Sequence, residues 1–403
     1  MQRSILHMDL DTFFVSVERL LNRELIGKPV LVGGVTDRGV VAACSYEARK
    51  YGVHSAMPMK LAKQLCPEAI QVKGNSANYM QFSDMVTDII KEDVPLYEKA
   101  SVDEFYIDLT GMDQFHGCVK FASELRQRII QETHLPISFG LSINKTVSKV
   151  ATGEAKPNNE LKILKGEEKP FLAPLSVKKI PMVGDKTYQT LRHLGIRYIH
   201  TLQEMPMQML TDVLGKNGEG IWKKANGIDN SPVKQHSERK SISTERTFDK
   251  DTIDVERLKG IMLAIAENLA FQLRRGEKLT SCVAVKIRYS DFSTYTKQVR
   301  IPYTSADHLI IPRVMELFKE IYNRRLLVRL IGVRFSHLVG GAYQINLFED
   351  TEEQMNLYQA MDKMRERYGD RSIIRAAGIG ARTIGRTNPF NGGPPALLAN
   401  RRS

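Results

Sequence analysis

Ile5-Leu6-His7-Met8-Asp9-Leu10-Asp11-Thr12-Phe13-Phe14 is the stretch on which the fold turns. Residues Ile5 to Asp11 read as a buried strand that ends in acids, and because strand side chains alternate, Asp9 and Asp11 share one face. From Thr12 to Leu25 the spacing of Phe13, Val17, Leu20 and Leu21 is helical, so a strand delivers two carboxylates to the start of a helix. Ninety residues on, Glu98 to Ser101 and Phe105 to Thr110 flank Val102-Asp103-Glu104 as two arms of a hairpin. Two carboxylate clusters on neighbouring strands suit hard divalent cations such as Mg²⁺, with no His or Cys at zinc-ligand spacing. On its own the pattern also fits turn or capping acids.

Outward from this centre, strands are expected at Pro29 to Val32, Val40 to Cys44 and Ile137 to Ile143, and helices around Glu47 to Tyr51, Met59 to Leu65, Ala77 to Lys91, Val119 to Ile129 and Asn144 to Ala155. Ser176 to Gly227 reads as short helices with tight turns. Gly227 to Ser243 has no periodicity and reads as a linker. Beyond it, helices at Val255 to Arg275 and His308 to Arg325 and strands at Ser281 to Arg288, Thr296 to Ile301 and Leu330 to His337 make two helices on a sheet. Asp350 to Ala376 is an amphipathic helical stretch, and the Gly-, Pro-, Asn- and Arg-rich tail from Arg386 to Ser403 buries too little to fold.

The 403 residues give two to four domains. The net charge of +12 is uneven: residues 1 to 230 carry 29 basic and 27 acidic side chains, residues 231 to 348 carry 20 and 12, and residues 349 to 403 carry 9 and 7. A near-neutral working part followed by a module that grips a polyanion is the expected organisation. Cys44, Cys66, Cys118 and Cys282 have no C-x-x-C spacing, and no apolar run is long enough to span a bilayer, so a reducing, cytoplasmic setting with no membrane partner is expected.

Three further segments carry polar side chains to helix ends: Ser45-Tyr46-Glu47-Ala48-Arg49-Lys50-Tyr51-Gly52-Val53 after a strand, Ser142-Ile143-Asn144-Lys145, and Ala155-Lys156-Pro157-Asn158. Tyr46, Arg49 and Lys156 are the candidate triphosphate contacts. With Met8-Asp9-Leu10-Asp11-Thr12-Phe13-Phe14 and Ser101-Val102-Asp103-Glu104, in that order and spacing, the chain resembles a Y-family (translesion) DNA polymerase of the bacterial DNA polymerase IV type over about residues 3 to 376.

The resemblance implies an α+β multidomain fold, a right-hand polymerase with a ferredoxin-like palm (1–10 and 75–165), small fingers (11–74), a helical thumb with a helix-hairpin-helix (166–230), a linker (231–242), a C-terminal little-finger α+β domain (243–348), an amphipathic segment (349–385) and a disordered tail (386–403). It implies Asp9, Asp103 and Glu104 as catalytic metal ligands with the Leu10 carbonyl, Asp11 standing second to them, and two Mg²⁺ ions for which Mn²⁺ substitutes. One ion lowers the pKa of a primer 3′-hydroxyl and the other holds the triphosphate. Phe13, Phe14, Tyr46, Arg49, Ser101 and Lys156 become nucleotide contacts, Phe14 the steric gate against ribose, and Ser55 and Ala56 the roof over the new base pair. Gly184 and Lys186, in Ile180-Pro181-Met182-Val183-Gly184-Asp185-Lys186-Thr187, and Arg246 and Arg334 in the basic module become DNA contacts. Gln344, Leu347 and Phe348 match the Q-x-x-L-F pattern of sliding-clamp-binding peptides.

The expected activity is template-directed, low-fidelity translesion synthesis on primer-template DNA with deoxynucleoside triphosphates, by a monomer with no segment left for a proofreading exonuclease. Two departures stand out: Ala43 lies where related sequences usually place threonine, and Met182 where they more often place glycine. The rivals are a non-catalytic DNA-binding repair factor, against which the intact carboxylate set speaks, and a nucleotidyl cyclase, which leaves the basic module unexplained.

Overall fold

The computed structural model describes residues 3–34, 36, 38–112, 117–235, 238–341, 352–369 and 372–378. The chain divides into two compact units, parting between Ser237 and Glu238.

In the first unit, chain order runs β1 (Ile5–Leu10), α1 (Phe13–Leu21), β2 (Val30–Gly33), β3 (Val41–Cys44), α2 (Tyr46–Arg49), α3 (Met59–Leu65), β4 (Ile70–Val72), α4 (Ser76–Asp93), β5 (Tyr97–Lys99), β6 (Glu104–Asp108), α5 (Cys118–Thr133), β7 (Ile137–Ser142), α6 (Lys145–Ala155) and β8 (Glu160–Lys162). Short helices α7 (Glu168–Leu172), α8 (Asp185–His193), α9 (Ile199–Glu204), α10 (Met207–Leu214) and α11 (Lys216–Ala225) follow. The main sheet has the order β5-β6-β1-β7-β8, with β1 antiparallel to both its neighbours.

Alternation sorts that sheet. Leu6, Met8, Leu10, Phe105, Ile107, Ile137, Phe139 and Leu141 turn to one face and join α1, α4 and α5 in a single apolar core. His7, Asp9, Glu104, Ser138 and Gly140 occupy the positions between them, on the face that α6 covers. The close approach of α6 depends on Gly140, since a Cβ there would stand 2.2 Å from the Ser148 carbonyl oxygen and 2.6 Å from the Thr152 nitrogen. The other side of α6 puts Val147, Val150 and Ala151 into the core of the short helices, with Leu172, Val177, Ile180 and Leu191.

Residues 11–74 do not pack as one piece. Phe13, Val15, Val17 and Leu25 belong to the main-sheet core, whereas Leu31, Val41, Cys44, Val53, Met57 and Met59 form a separate small core around the sheet β3-β2-β4. Nor is the end of the expected linker free. The Asn144 amide donates to the Gly227 carbonyl at 2.8 Å, the Thr146 backbone N–H and hydroxyl donate to Asp229 Oδ2 at 3.1 and 2.8 Å, and the Gln235 amide donates to Pro95 O. Strand β9 begins at Ser241, inside the stretch read as linker.

The second unit holds β9 (Ser241–Thr252), α12 (Val255–Arg275), β10 (Lys278–Tyr289), β11 (Thr294–Thr304), α13 (Asp307–Ile321), β12 (Val328–Ser336), β13 (Val339–Gly340) and α14 (Glu352–Tyr368). Its sheet runs β11-β10-β12-β9, with α12 and α13 on one face over Val283, Val285, Ile287, Ile331, Val333 and Phe335. Asp254 caps α12 by accepting from the Arg257 N–H at 3.0 Å. The segment after the basic module is docked by ion pairs. Arg274 holds Asp307 and Asp362, while Arg365 and Arg375 reach the buried Glu267. Gln344, Leu347 and Phe348 and the tail from Arg386 lie outside the described residues, as does the region's expected disorder. No helix among the described residues is long and apolar enough to cross a membrane.

Candidate active site

Cross-strand register places Asp9 opposite Glu104, and the Leu10 N–H donates to the Asp103 carbonyl at 2.9 Å. Asp9, Asp103 and Glu104 are therefore neighbours along the backbone at the corner where β1 meets the β5–β6 turn, while among the described residues no three His, Cys, Asp or Glu side chains converge into a metal-holding group. Burial pushes the Asp9 carboxyl up to about 6, and the neighbouring charges of Asp103 and Glu104 add to the rise while Lys156 opposes it. Each carboxylate has its own cationic or hydroxyl partner. Lys156 Nζ contacts Asp9, and lies 3.5 Å from both the Leu10 carbonyl oxygen and Asp11 Oδ1. Asp103 accepts from the Ser101 hydroxyl. Glu104 Oε1 is shared by His7 Nε2 at 2.7 Å and Lys149. Against the burial that would raise it, these two partners bring the Glu104 carboxyl down to about 2.

Residues of α6 form a row over this corner. Lys145 pairs with Glu98 at 2.8 Å, Lys149 with Glu104, Thr152 with His7, and Lys156, just past the helix, with Asp9. The spacing of four, three and four residues is one face of a helix. Sequence reasoning found Lys156 but missed Lys149, Thr152 and His7. Their signals were the helical stripe and the position of His7 two residues before Asp9, hence on the same strand face.

Asp11 is 1% exposed, and its Oδ2 accepts from the Ser138 hydroxyl at 2.8 Å and the Asn158 N–H at 2.6 Å. It ties down the turn that carries Lys156. Its Oδ1 faces Lys156 at 3.5 Å, and the buried Tyr46 hydroxyl lies beside the same carboxylate. Burial and the adjacent Asp11 charge push the Tyr46 phenol up to about 12, and Arg49 lies 5.0 Å from its ring centroid. Ser45 caps the short helix that carries both, accepting from the Ala48 N–H. Phe13 is a core residue at 3% exposure, so its ring offers no surface to a nucleotide. Phe14 instead stacks on Tyr79 at 4.3 Å, and the Tyr79 hydroxyl is fixed by Glu18. Ser101 is engaged with Asp103, which makes its first task the orientation of that carboxylate. Ser55 and Ala56 are exposed, and Ala56 takes a left-handed φ of 69°.

Elsewhere, Gly184 and Lys186 sit exposed at the start of α8, after Met182, which holds a φ of 80° and is 78% exposed. A left-handed methionine is strained where glycine is not. Arg334 is exposed on the open face of the second sheet, in register with Ala284. Arg246 pairs with Ile331 and so takes the opposite, helix-covered face, with its guanidinium 5.9 Å from the Phe248 ring.

Carboxylate and carbonyl oxygens, the atoms present at this corner, are the donor types that a hard cation takes. The Lys156 ammonium already touches an Asp9 oxygen and approaches the Leu10 carbonyl, so it stands in for positive charge at the two atoms expected to ligate. The Asp9 carboxyl is raised first by burial and then by the nearby Asp103 and Glu104 charges, and bound positive charge opposes both.

Residues 8–153 match the family model described as the impB/mucB/samB family, and residues 239–347 match that family's C-terminal domain. A DNA polymerase IV of Dehalococcoides mccartyi (strain BAV1) is 39% identical over 375 residues, covering 92% of this chain and 96% of that protein. A DNA polymerase IV of Streptococcus pneumoniae serotype 4 is 38% identical over 339 residues, covering 83% and 96%. Among solved structures, a Y-family DNA polymerase chimera of Dbh and Dpo4 superposes with a TM-score of 0.74 at 27% identity over 84% of this chain and all of that one. An insertion ternary complex of Dbh DNA polymerase gives 0.62 at 26% identity, with the same coverage. The chain belongs to the impB/mucB/samB family, the Y-family of DNA-directed DNA polymerases that act in translesion synthesis.

Proposed function

We propose that this polymerase adds deoxynucleotides to a primer 3′-hydroxyl at the corner formed by Asp9, Asp103 and Glu104, with Mg²⁺ as its cofactor, two ions per site, and with Mn²⁺ as a substitute. The observation that supports it most is the Asp9–Glu104 register, which sets the half-buried carboxylate of one strand against that of the next. Bound Mg²⁺ supplies a lowered 3′-hydroxyl pKa and charge stabilisation at the departing pyrophosphate. Asp9, Glu104, Asp103 and the Leu10 carbonyl are the oxygens that would hold it. Tyr46 and Arg49 would bind the triphosphate, and Lys156 would exchange its contact with Asp9 for a phosphate. The Phe14 ring would lie under the sugar. Primer extension on a primed template tests the whole reading: added deoxynucleotides that follow the template support it, and DNA binding without extension, in Mg²⁺ or Mn²⁺, overturns it.

The same reading assigns residues 1–10 and 75–165 to the palm, 11–74 to the fingers, 166–230 to the thumb and 243–348 to the little finger, the core around α1 being shared. Gly184, Lys186 and Arg334 would contact DNA phosphates, and the peptide 344–348 a sliding clamp. A monomer without proofreading and a cytoplasmic location complete the proposal, the latter supported by four buried free cysteines.

Two outcomes test the site in detail. Phe14→Ala should lower discrimination against ribonucleotides by about 10- to 100-fold, because shape exclusion is worth about 1–3 kcal/mol, while deoxynucleotide addition continues; single-nucleotide insertion kinetics read this directly. Metal demand should rise in acid. A protonated carboxyl does not ligate, so as pH falls through about 6 the Asp9 proton competes with the cation. The Mg²⁺ concentration for half-maximal extension should rise about fivefold between pH 6 and 5 and change little above pH 7.

A further inference from the structure

His7 is 1% exposed on the α6 face of β1 and is not among the residues to which any role in nucleotide addition has been given. Its ring nitrogens are both spoken for. Nε2 lies 2.7 Å from Glu104 Oε1, and Nδ1 lies 2.7 Å from Thr152 Oγ1. A carboxylate only accepts, so the ring proton belongs on Nε2, and in the neutral imidazole Nδ1 is an acceptor facing the Thr152 hydroxyl, whose one proton is also within reach of the Ser148 carbonyl at 2.9 Å and the His7 carbonyl at 3.0 Å. Thr152 is itself 1% exposed, on the helix that Gly140 lets down onto the sheet. Tyr106 packs against the imidazole at 4.5 Å between centroids, tilted by 60°, which fixes the ring plane.

We infer that His7 is the positioning residue of Glu104: with its ring held in place between Tyr106 and Thr152, it donates from Nε2 to Oε1 and thereby aims the carboxylate at the cation position shared with Asp9 and Asp103. The inference rests on the metal reading of those carboxylates. Lys149 shares Oε1 but is a flexible ammonium, 36% exposed, and supplies charge without fixing an angle. The imidazole is rigid and buried, and supplies the angle. Without it Glu104 would be drawn by Lys149 alone, and the geometry needed by a small, geometrically demanding ion would loosen.

The test uses the full-length protein without DNA or nucleotide, with Mn²⁺ as the probe and electron paramagnetic resonance as the readout of bound ion, beside thermal melting. His7→Leu should weaken Mn²⁺ about tenfold, His7→Gln, whose amide can donate where Nε2–H did, should recover most of that loss, and Thr152→Val should fall between them. In extension assays the same order should appear in the Mg²⁺ needed for half-maximal rate. His7→Gln performing no better than His7→Leu, or unchanged Mn²⁺ affinity in both, would overturn the inference. If His7→Leu does not fold, the comparison of His7→Gln and Thr152→Val with the parent carries it: equal affinity in all three overturns it. Asp9→Asn separates the two levels. Should it leave Mn²⁺ binding untouched, the metal reading falls and this inference with it; should it abolish binding that His7→Leu preserves, this inference falls alone.

Discussion

Asp9→Asn is expected to reduce the rate of nucleotide addition by about 10³-fold or more while leaving affinity for primed DNA within about twofold. The amide keeps the volume and one carbonyl oxygen but removes the charge that a divalent cation needs, and the loss of several kcal/mol of transition-state stabilisation corresponds to about three orders of magnitude. The change also frees Lys156, which loses its partner at Asp9 but retains Asp11 within 3.5 Å. Folding should therefore survive, and the loss should be one of chemistry. Single-turnover extension together with a DNA-binding titration distinguishes the two. A rate within tenfold of the parent would remove Asp9 from the mechanism.

The second large effect is one of architecture. Gly140→Ala should destabilise the first unit by about 3 kcal/mol, at the upper end of the cost of overpacking, because the obstacles are backbone atoms of α6, which cannot turn aside as a side chain can. Its first melting transition should fall by roughly 5–10 °C. Activity should fall further than stability accounts for. Lifting α6 by a fraction of an ångström moves Lys149 and Thr152 along with the backbone, and Lys156 with the turn that follows. Gly140→Ser, larger still, should be worse than alanine. A protein that melts like the parent would show that the helix has room to spare.

Much of this was legible in the residues. Strands β1 and β7 and helices α3, α6 and α12 fall where apolar periodicity places them, within one residue for most ends. Strands β4 and β8 escaped because three residues carry too little alternation to register, and β8 is polar throughout except Leu161. Strand β9 was hidden by its approach. Its alternating Ile242, Thr244, Arg246 and Phe248 follow directly on the aperiodic stretch read as linker to Ser243, and no strand is read there, although these residues stand at the start of the basic module. At the site, the carboxylates were readable because a strand end and a hairpin turn confine them. The partners were not, since lysines on a helix look alike from sequence, and only the packing of α6 decides that Lys149 faces Glu104 and not solvent. Arg246 and Arg334 illustrate the same point: both are arginines of a basic strand pair, and only register puts them on opposite faces.

The joint between Asn144, Thr146 and the segment Gly227 to Asp229 bears on how such enzymes can be recombined. Asn144 caps α6 from one side by accepting from the Val147 N–H, and Asp229 does so from the other through Thr146, across 83 residues of chain. A hybrid that takes everything after residue 226 from a relative would inherit a foreign cap for the helix that carries Lys149 and Thr152. Breeding chimeras at this seam therefore requires moving residues 144, 146 and 229 as a set, and mismatched parents should be recognisable by sluggish catalysis in a chain whose transplanted half is itself intact.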